Sequence, residues 1–198
     1  MGNFEDKVVL VTGAGKGTGR LVAETCAAQG ARVAANDISP VNLDDTVAHI
    51  SSAGGQVKAY VEDIAKKMPV QTLLNAVLDD FGRIDILVNC AEVEPQKTML
   101  EMDEWDWQRT QDVNLNGAFL LTQSVGRIMK EKGGGVIVHV GERAKGPEKR
   151  AAYFTSKAGL AALSALAAYE LSEYGIRVYY VHPQETGDVV RHILELCC

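Results

Sequence analysis

No stretch of this chain approaches the roughly 18 uncharged apolar residues of a membrane-spanning helix. The opening residues Met1 to Lys7 contain no apolar signal core, and Asp6 stands where a myristoylation signal has Ser or Thr. Positive charge is not in excess: 20 Lys and Arg stand against 26 Asp and Glu, a formal net charge of −6, which argues against nucleic acid or a membrane surface as partner. Cysteine is scarce, and Cys26, Cys90, Cys197 and Cys198 have neither zinc-ligand nor redox-pair spacing. A reducing cytoplasm is therefore the expected setting. The histidines His49, His139, His182 and His192 share no ligand spacing, so no metal site is expected. Internal repeats and low-complexity segments are absent as well.

What is present suits a globular chain. With 198 residues, 46% hydrophobic and 23% charged, residues 1–198 are expected to form a single domain with a sizeable core. β-branched-rich runs recur at Lys7–Thr12, Ala31–Asp37, Gln56–Glu62, Arg83–Asn89, Gly135–Val140 and Ile176–His182, each bounded by turn residues. Their continuous apolar character predicts strands buried on both faces. Between them lie stretches of helical spacing at Gly17–Gln29, Val41–Ser51, Lys66–Phe81 and Ala151–Tyr174, with one or two helices between Asp103 and Lys132 and a short run over Val189–Leu196. This alternation predicts an α/β fold of the doubly wound Rossmann type, a parallel sheet of about six strands with helices on both faces.

After the first run comes Thr12-Gly13-Ala14-Gly15-Lys16-Gly17-Thr18-Gly19-Arg20. A sharp strand-to-helix turn needs residues without Cβ, and the helix start offers N–H groups and a favourable dipole to a phosphate. The position between strand and helix makes this a dinucleotide fingerprint, with Gly13, Gly15, Lys16, Gly17, Thr18 and Gly19 as candidate cofactor contacts. The acid expected about 20 residues on is Asp37, whose carboxylate can accept both ribose hydroxyls of NAD and would repel the 2′-phosphate of NADP. NAD(H) is therefore favoured, while Lys16 and Arg20 keep NADP(H) possible.

With these residues the chain resembles the short-chain dehydrogenase/reductase family. Thr12-Gly13-x-x-x-Gly17-x-Gly19, Asp63, Asn89, Asn114 in Val113-Asn114-Leu115-Asn116-Gly117, and Tyr153-x-x-x-Lys157 carry the resemblance from about Lys7 to His182. It implies strand order 3-2-1-4-5-6 and an NAD(P)-dependent interconversion of a secondary alcohol and a carbonyl. Tyr153 is implied as acid/base, Lys157 as its tuner and ribose anchor, and Asn114 as the residue that keeps a water in the proton relay. Asp63 and Ile64 are implied at the adenine, with Asn89, Ala91, Pro183 and Thr186 along the cofactor. Tyr153 and Lys157 share a helix face at i, i+4, and a nearby ammonium is expected to lower the phenol pKa.

The chain departs from the family pattern at several places. The serine pair at the end of the fifth strand is matched by Gly141-Glu142, and an ionised Glu142 cannot donate to a substrate oxygen. Asn-Asn-Ala-Gly appears as Asn89-Cys90-Ala91-Glu92, which puts a carboxylate beside the expected cofactor groove. Pro-Gly appears as Pro183-Gln184, and no segment matching the family's lid and seventh strand follows. These departures support a second expectation, a weak or inactive NAD-binding pseudoenzyme that acts as sensor or assembly partner. Trp105 and Trp107 are expected at a helix–helix contact, and the charged run Glu142–Arg150 as a solvated loop over the site. The apolar excess of Ala151–Tyr174 predicts a homodimer or homotetramer through that helix.

Overall fold

The computed structural model describes residues 4–141, 148–182 and 186–197. The first strand, β1 (Val8–Thr12), is buried along its whole length and alternates its side chains between two layers. Val9 and Val11 enter one cluster, while Val8 and Leu10 enter the other. The chain then alternates through α1 (Gly17–Ala28), β2 (Arg32–Asp37), α2 (Pro40–Ser52), β3 (Gln56–Val61), α3 (Lys67–Phe81) and β4 (Ile86–Asn89). It continues through α4 (Glu104–Gln111), α5 (Ala118–Lys132), β5 (Gly135–Val140), α6 (Ala151–Leu171), β6 (Ile176–Val181) and α7 (Thr186–Leu196).

The sheet has six parallel strands in the order β3-β2-β1-β4-β5-β6. Helices α1, α2 and α7 supply Val22, Leu43, Ile50 and Ile193 to one face. Helices α3, α5 and α6 supply Leu73, Val77, Leu121, Val125 and Ala167 to the other. The strand order reverses at β1 and β4, and that reversal opens a crevice beyond their carboxyl ends. The expected Rossmann-type architecture is therefore the one observed, with most element ends within a residue or two of their predicted places.

Some expectations are corrected. β3 is not buried on both faces: it ends the sheet, and among its side chains only Tyr60 is buried. Lys58 and Tyr60 both reach Asp80, at 2.5 and 2.7 Å, and the lysine gives this edge a charge that discourages further strand pairing. The one or two helices expected between Asp103 and Lys132 are present within those bounds as α4 and α5, and what was not foreseen is the π-helical turn over Asp112–Gly117 that joins them. The long helix ends at Leu171, and a 3₁₀ turn (Ser172–Tyr174) leads to Gly175 at φ +72. Trp105 is exposed, not packed at a helix contact.

Candidate functional site

A groove of about 440 Å³ lies across the carboxyl ends of the central strands. The glycine loop forms one wall. Gly13 has φ +65, and a Cβ there would sit 2.8 Å from the Ala91 Cα. A Cβ on Gly19 would come within 2.2 Å of the Gly13 carbonyl oxygen. These two glycines let the β1–α1 turn close against β4's continuation, a packing no other residue permits. Helix α1 opens with no side-chain cap on Lys16, so the positive end of its dipole is left to an anion in the groove.

Asp37 ends β2 beside this loop. Its Oδ2 accepts from the Gly15 N–H at 2.9 Å, and its Oδ1 from the Ser39 N–H at 2.9 Å. The carboxylate is thereby fixed in orientation while it still lines the groove. Gly15 stands behind it, and a Cβ there would meet Asp37 Oδ2 at 2.9 Å.

Farther along, Asp63 and Ile64 line the groove as well. Asp63 accepts from both terminal nitrogens of Arg109, at 2.8 and 3.2 Å, and from the Ala65 N–H. Burial pushes the Asp63 carboxyl up, but the Arg109 guanidinium and the Ala65 amide outweigh it and hold the group below the ordinary carboxylate range. The π turn aims Asn114 inward. The Val93 N–H donates to Asn114 Oδ1 at 2.9 Å, and Asn114 Nδ2 donates to the Val93 oxygen and to Ser156 Oγ, each at 3.0 Å. Ser156 in turn donates to the Tyr153 carbonyl at 2.7 Å. Asn114 thus ties the segment after β4 to α6.

Tyr153 and Lys157 lie on one face of α6, 0% and 2% exposed. Lys157 Nζ donates to the Val140 oxygen at 2.9 Å and pairs with Glu92 Oε2 at 2.8 Å. The same Glu92 oxygen accepts from the Tyr153 hydroxyl at 3.0 Å. The expectation that Lys157 lowers the Tyr153 pKa is therefore corrected. Burial first, then the charge and hydrogen bond of Glu92, then the charge of Glu94 push the phenol well above the usual tyrosine range, with Arg150 opposing. Glu92 stands between the ammonium and the phenol and removes the advantage the ammonium would give a phenolate.

Arg150 is a second correction. It is buried, not part of a solvated loop. Its guanidinium pairs with Glu94 and lies 4.7 Å from the Tyr153 ring centroid and 5.0 Å from that of Phe154. Its i, i+3 spacing from Tyr153 was the signal available in the sequence.

Asn89 faces the core. Thr12 Oγ1 donates to Asn89 Oδ1 at 2.5 Å, and Asn89 Nδ2 meets His139 Nδ1 at 3.4 Å. His139 Nε2 lies 3.0 Å from Thr122 Oγ1, whose own hydrogen goes to the Ala118 oxygen at 2.7 Å. This order of donors assigns the ring proton to Nε2. Burial, assisted by the Lys157 charge, lowers His139 to about 4. Sequence spacing alone offered no sign of this link between β1, β4, β5 and α5.

Gly13, Lys16, Gly17, Thr18, Gly19, Asp37, Asp63, Ile64 and Ala91 thus line the groove, and Glu92, Val140 and Gly141 line it too. Glu142, Pro183 and the Thr186 side chain lie outside the described residues. Among the described residues no cluster of His, Cys, Asp and Glu could hold a metal ion, and no helix is long and apolar enough to cross a membrane.

The family model described as short chain dehydrogenase matches residues 7–191. An uncharacterized oxidoreductase of Thermotoga maritima is 42% identical over 186 residues, which are 93% of this chain and 73% of that one. The D-threitol dehydrogenase of Mycolicibacterium smegmatis is 38% identical over 182 residues, 91% of this chain and 70% of that one. A metagenomic short-chain oxidoreductase solved in complex with NADP superposes with a TM-score of 0.93 at 29% identity, covering 99% of this chain and 92% of that one.

Proposed function

Since the chain belongs to the short-chain dehydrogenase family, we propose that it interconverts a secondary alcohol and a carbonyl with a nicotinamide dinucleotide, NAD(H) in preference to NADP(H). The observation that carries this is one groove walled by an uncapped helix start in a glycine turn and a carboxylate at the end of β2, with the buried Tyr153–Lys157 pair directly behind its Glu92 and Val140.

The residues present fit the dinucleotide along most of the groove. The glycine turn leaves no room for a Cβ and brings backbone close to the α1 dipole, where Gly13, Lys16, Gly17, Thr18 and Gly19 would hold a pyrophosphate while Gly15, behind them, holds Asp37. Asp37 would accept the adenosine ribose hydroxyls, and its charge disfavours a 2′-phosphate. Asp63 and Ile64 would stand at the adenine. Ala91, Pro183 and Thr186 would stand toward the nicotinamide, with Asn89 supporting that wall from behind. When bound, the dinucleotide supplies or accepts the hydride.

The chain's own residues handle the proton. The Tyr153 hydroxyl would exchange a proton with the substrate oxygen, and Lys157 would steady that exchange and hold a ribose hydroxyl. Asn114 would act through the backbone it holds at Val93. Glu142 takes the family serine's place and supplies no hydroxyl donor there. One observation favours a second reading, a nucleotide-binding protein with little turnover that serves as sensor or assembly partner: Glu92 already occupies both Tyr153 and Lys157.

The partner on the substrate side is a small alcohol or carbonyl compound. The setting we propose is cytoplasmic, and the oligomer a homodimer or homotetramer through α6.

Calorimetric titration of the purified protein with NADH and with NADPH, followed by a turnover screen over secondary alcohols and carbonyls, tests the proposal. Tighter NADH binding with turnover that Tyr153→Phe abolishes is the expected result. Binding without any turnover would select the second reading, and binding of neither nucleotide would end both.

A further inference from the structure

We infer that Glu92 is a built-in ligand of the reaction centre, a carboxylate standing where a substrate or ribose oxygen must come between Tyr153 and Lys157, so that any ligand engaging that pair first has to displace it. The inference rests on the oxidoreductase reading for its meaning, but its geometry is independent of it.

A single oxygen, Glu92 Oε2, lies 3.0 Å from the Tyr153 hydroxyl and 2.8 Å from Lys157 Nζ. That is hydrogen-bond distance to both, the position an exogenous oxygen would need in order to meet phenol and ammonium together. Both partners are buried in α6, whereas the Glu92 side chain is 27% exposed and lines the groove. The carboxylate therefore reaches the pair from the open side.

Its backbone belongs to the segment after β4 that has no regular structure, but that segment is clamped one residue later, where Asn114 takes both the N–H and the carbonyl of Val93. With the backbone held at Val93 and the carboxylate on the open groove side, displacement calls on the Glu92 side chain itself. Lys157 keeps its bond to the Val140 oxygen meanwhile.

The electrostatics follow from this placement. The charged groups facing Tyr153 are Glu92 and Glu94 from the segment after β4, Arg150 just before α6, and Lys157 from α6. His139 on β5 is neutral there. Arg150 is paired with Glu94, so Glu92 is the carboxylate that neutralises Lys157. With Glu92 in place the phenol is a proton donor to a carboxylate and stays neutral. With Glu92 displaced by a neutral hydroxyl or carbonyl oxygen, the ammonium acts on the phenol alone, and the acid/base function is switched on by the ligand that uses it. A glutamate in place of the family's glycine thus makes occupancy of the site and activation of Tyr153 the same event.

The test needs no substrate in its first arm. The nucleotide-free protein, Glu92→Gln and Glu92→Gly are titrated by tyrosinate absorbance, each against its own Tyr153→Phe partner to isolate the one phenol. Removal of the carboxylate is expected to lower the Tyr153 titration by about one to three units. Superimposable titrations would overturn the inference. In the second arm NADH is titrated by fluorescence, and Glu92→Gly is expected to bind about tenfold tighter than the natural chain. Equal or weaker binding by a folded variant would overturn displacement.

Glu92→Gln keeps the side-chain volume and decides both arms if the glycine variant does not fold. Should no form bind NADH, the oxidoreductase reading falls. The absorbance arm then still decides whether Glu92 holds the pair.

Discussion

His139 is held without a proton on Nδ1. Asn89 donates to that nitrogen, Thr122 takes the bond from Nε2, and burial together with the Lys157 charge lowers the group to about 4. The unfolded chain returns it to about 6.5. As the pH falls below that value the unfolded state binds the proton first, so the stability associated with neutral His139 is complete above about 6.5 and is lost progressively toward 4. Urea unfolding at pH 7 and pH 5 should show the natural chain losing about 2 kcal/mol more than His139→Gln. An identical loss in both would mean that the ring is not buried neutral.

A second expectation at this scale concerns Gly19. Because its Cβ would meet a backbone oxygen at 2.2 Å, Gly19→Ala has to move the turn, and NADH affinity measured by calorimetry should drop at least about tenfold. Unchanged affinity would show the turn to be yielding. Gly19 was readable in the sequence because backbone geometry dictates residue type there, and Asp37 because it stands at a fixed distance after the glycine loop at the end of a strand. The partners of Glu92 were not, since a carboxylate in a loop has no direction until α6 is packed beneath it.

Between α4 and α5 the helix widens into a π turn over Asp112–Gly117. Such a turn shifts the register of side chains that follow and is common at functional positions. Here it turns Asn114 into the fold, where one amide satisfies the N–H and the carbonyl of Val93 and reaches Ser156. Asn114→Ala would leave those partly buried backbone groups and Ser156 without their partner and should destabilise the protein by about 1–3 kcal/mol in urea unfolding. A change below about 0.5 kcal/mol would remove the clamp from the argument.

This element was only half legible. The motif around Asn114 stands out in the sequence, but periodicity over so few residues does not separate a π turn from two α-helices meeting. β3 failed to match its reading for a related reason. Its Val, Ala and Tyr residues fit a strand, but which strand lies at the end of the sheet is a property of topology, not of that segment.

At the scale of the whole molecule, alternation of strand and helix with crossovers of one hand lays down a parallel sheet with helices on both faces, but it leaves more than one strand order open. The order β3-β2-β1-β4-β5-β6 was legible only through the family resemblance, and the groove falls where β1 and β4 part. Nor does alternation settle the outer surface of α6. Its inner face carries Tyr153, Lys157 and Leu160 into the protein, while Leu166 is 62% and Tyr169 82% exposed. Thr155, Ala158, Ala162 and Ala165 continue the same exposed, uncharged stripe at helical spacing. Small residues along a helix let a second helix approach closely, and a two-fold axis would set each stripe against its own copy.

Because the opposite face of this helix holds the buried Tyr153–Lys157 pair, such contact would stiffen the base on which the two side chains sit. Sedimentation of the natural chain should therefore give a dimer or tetramer, and Leu166→Glu should shift it toward the mass of one chain while leaving the far-ultraviolet circular dichroism unchanged. The natural chain sedimenting as a monomer at assay concentration would reject self-association through α6, and a Leu166→Glu oligomer as stable as the natural one would place the contact on another face.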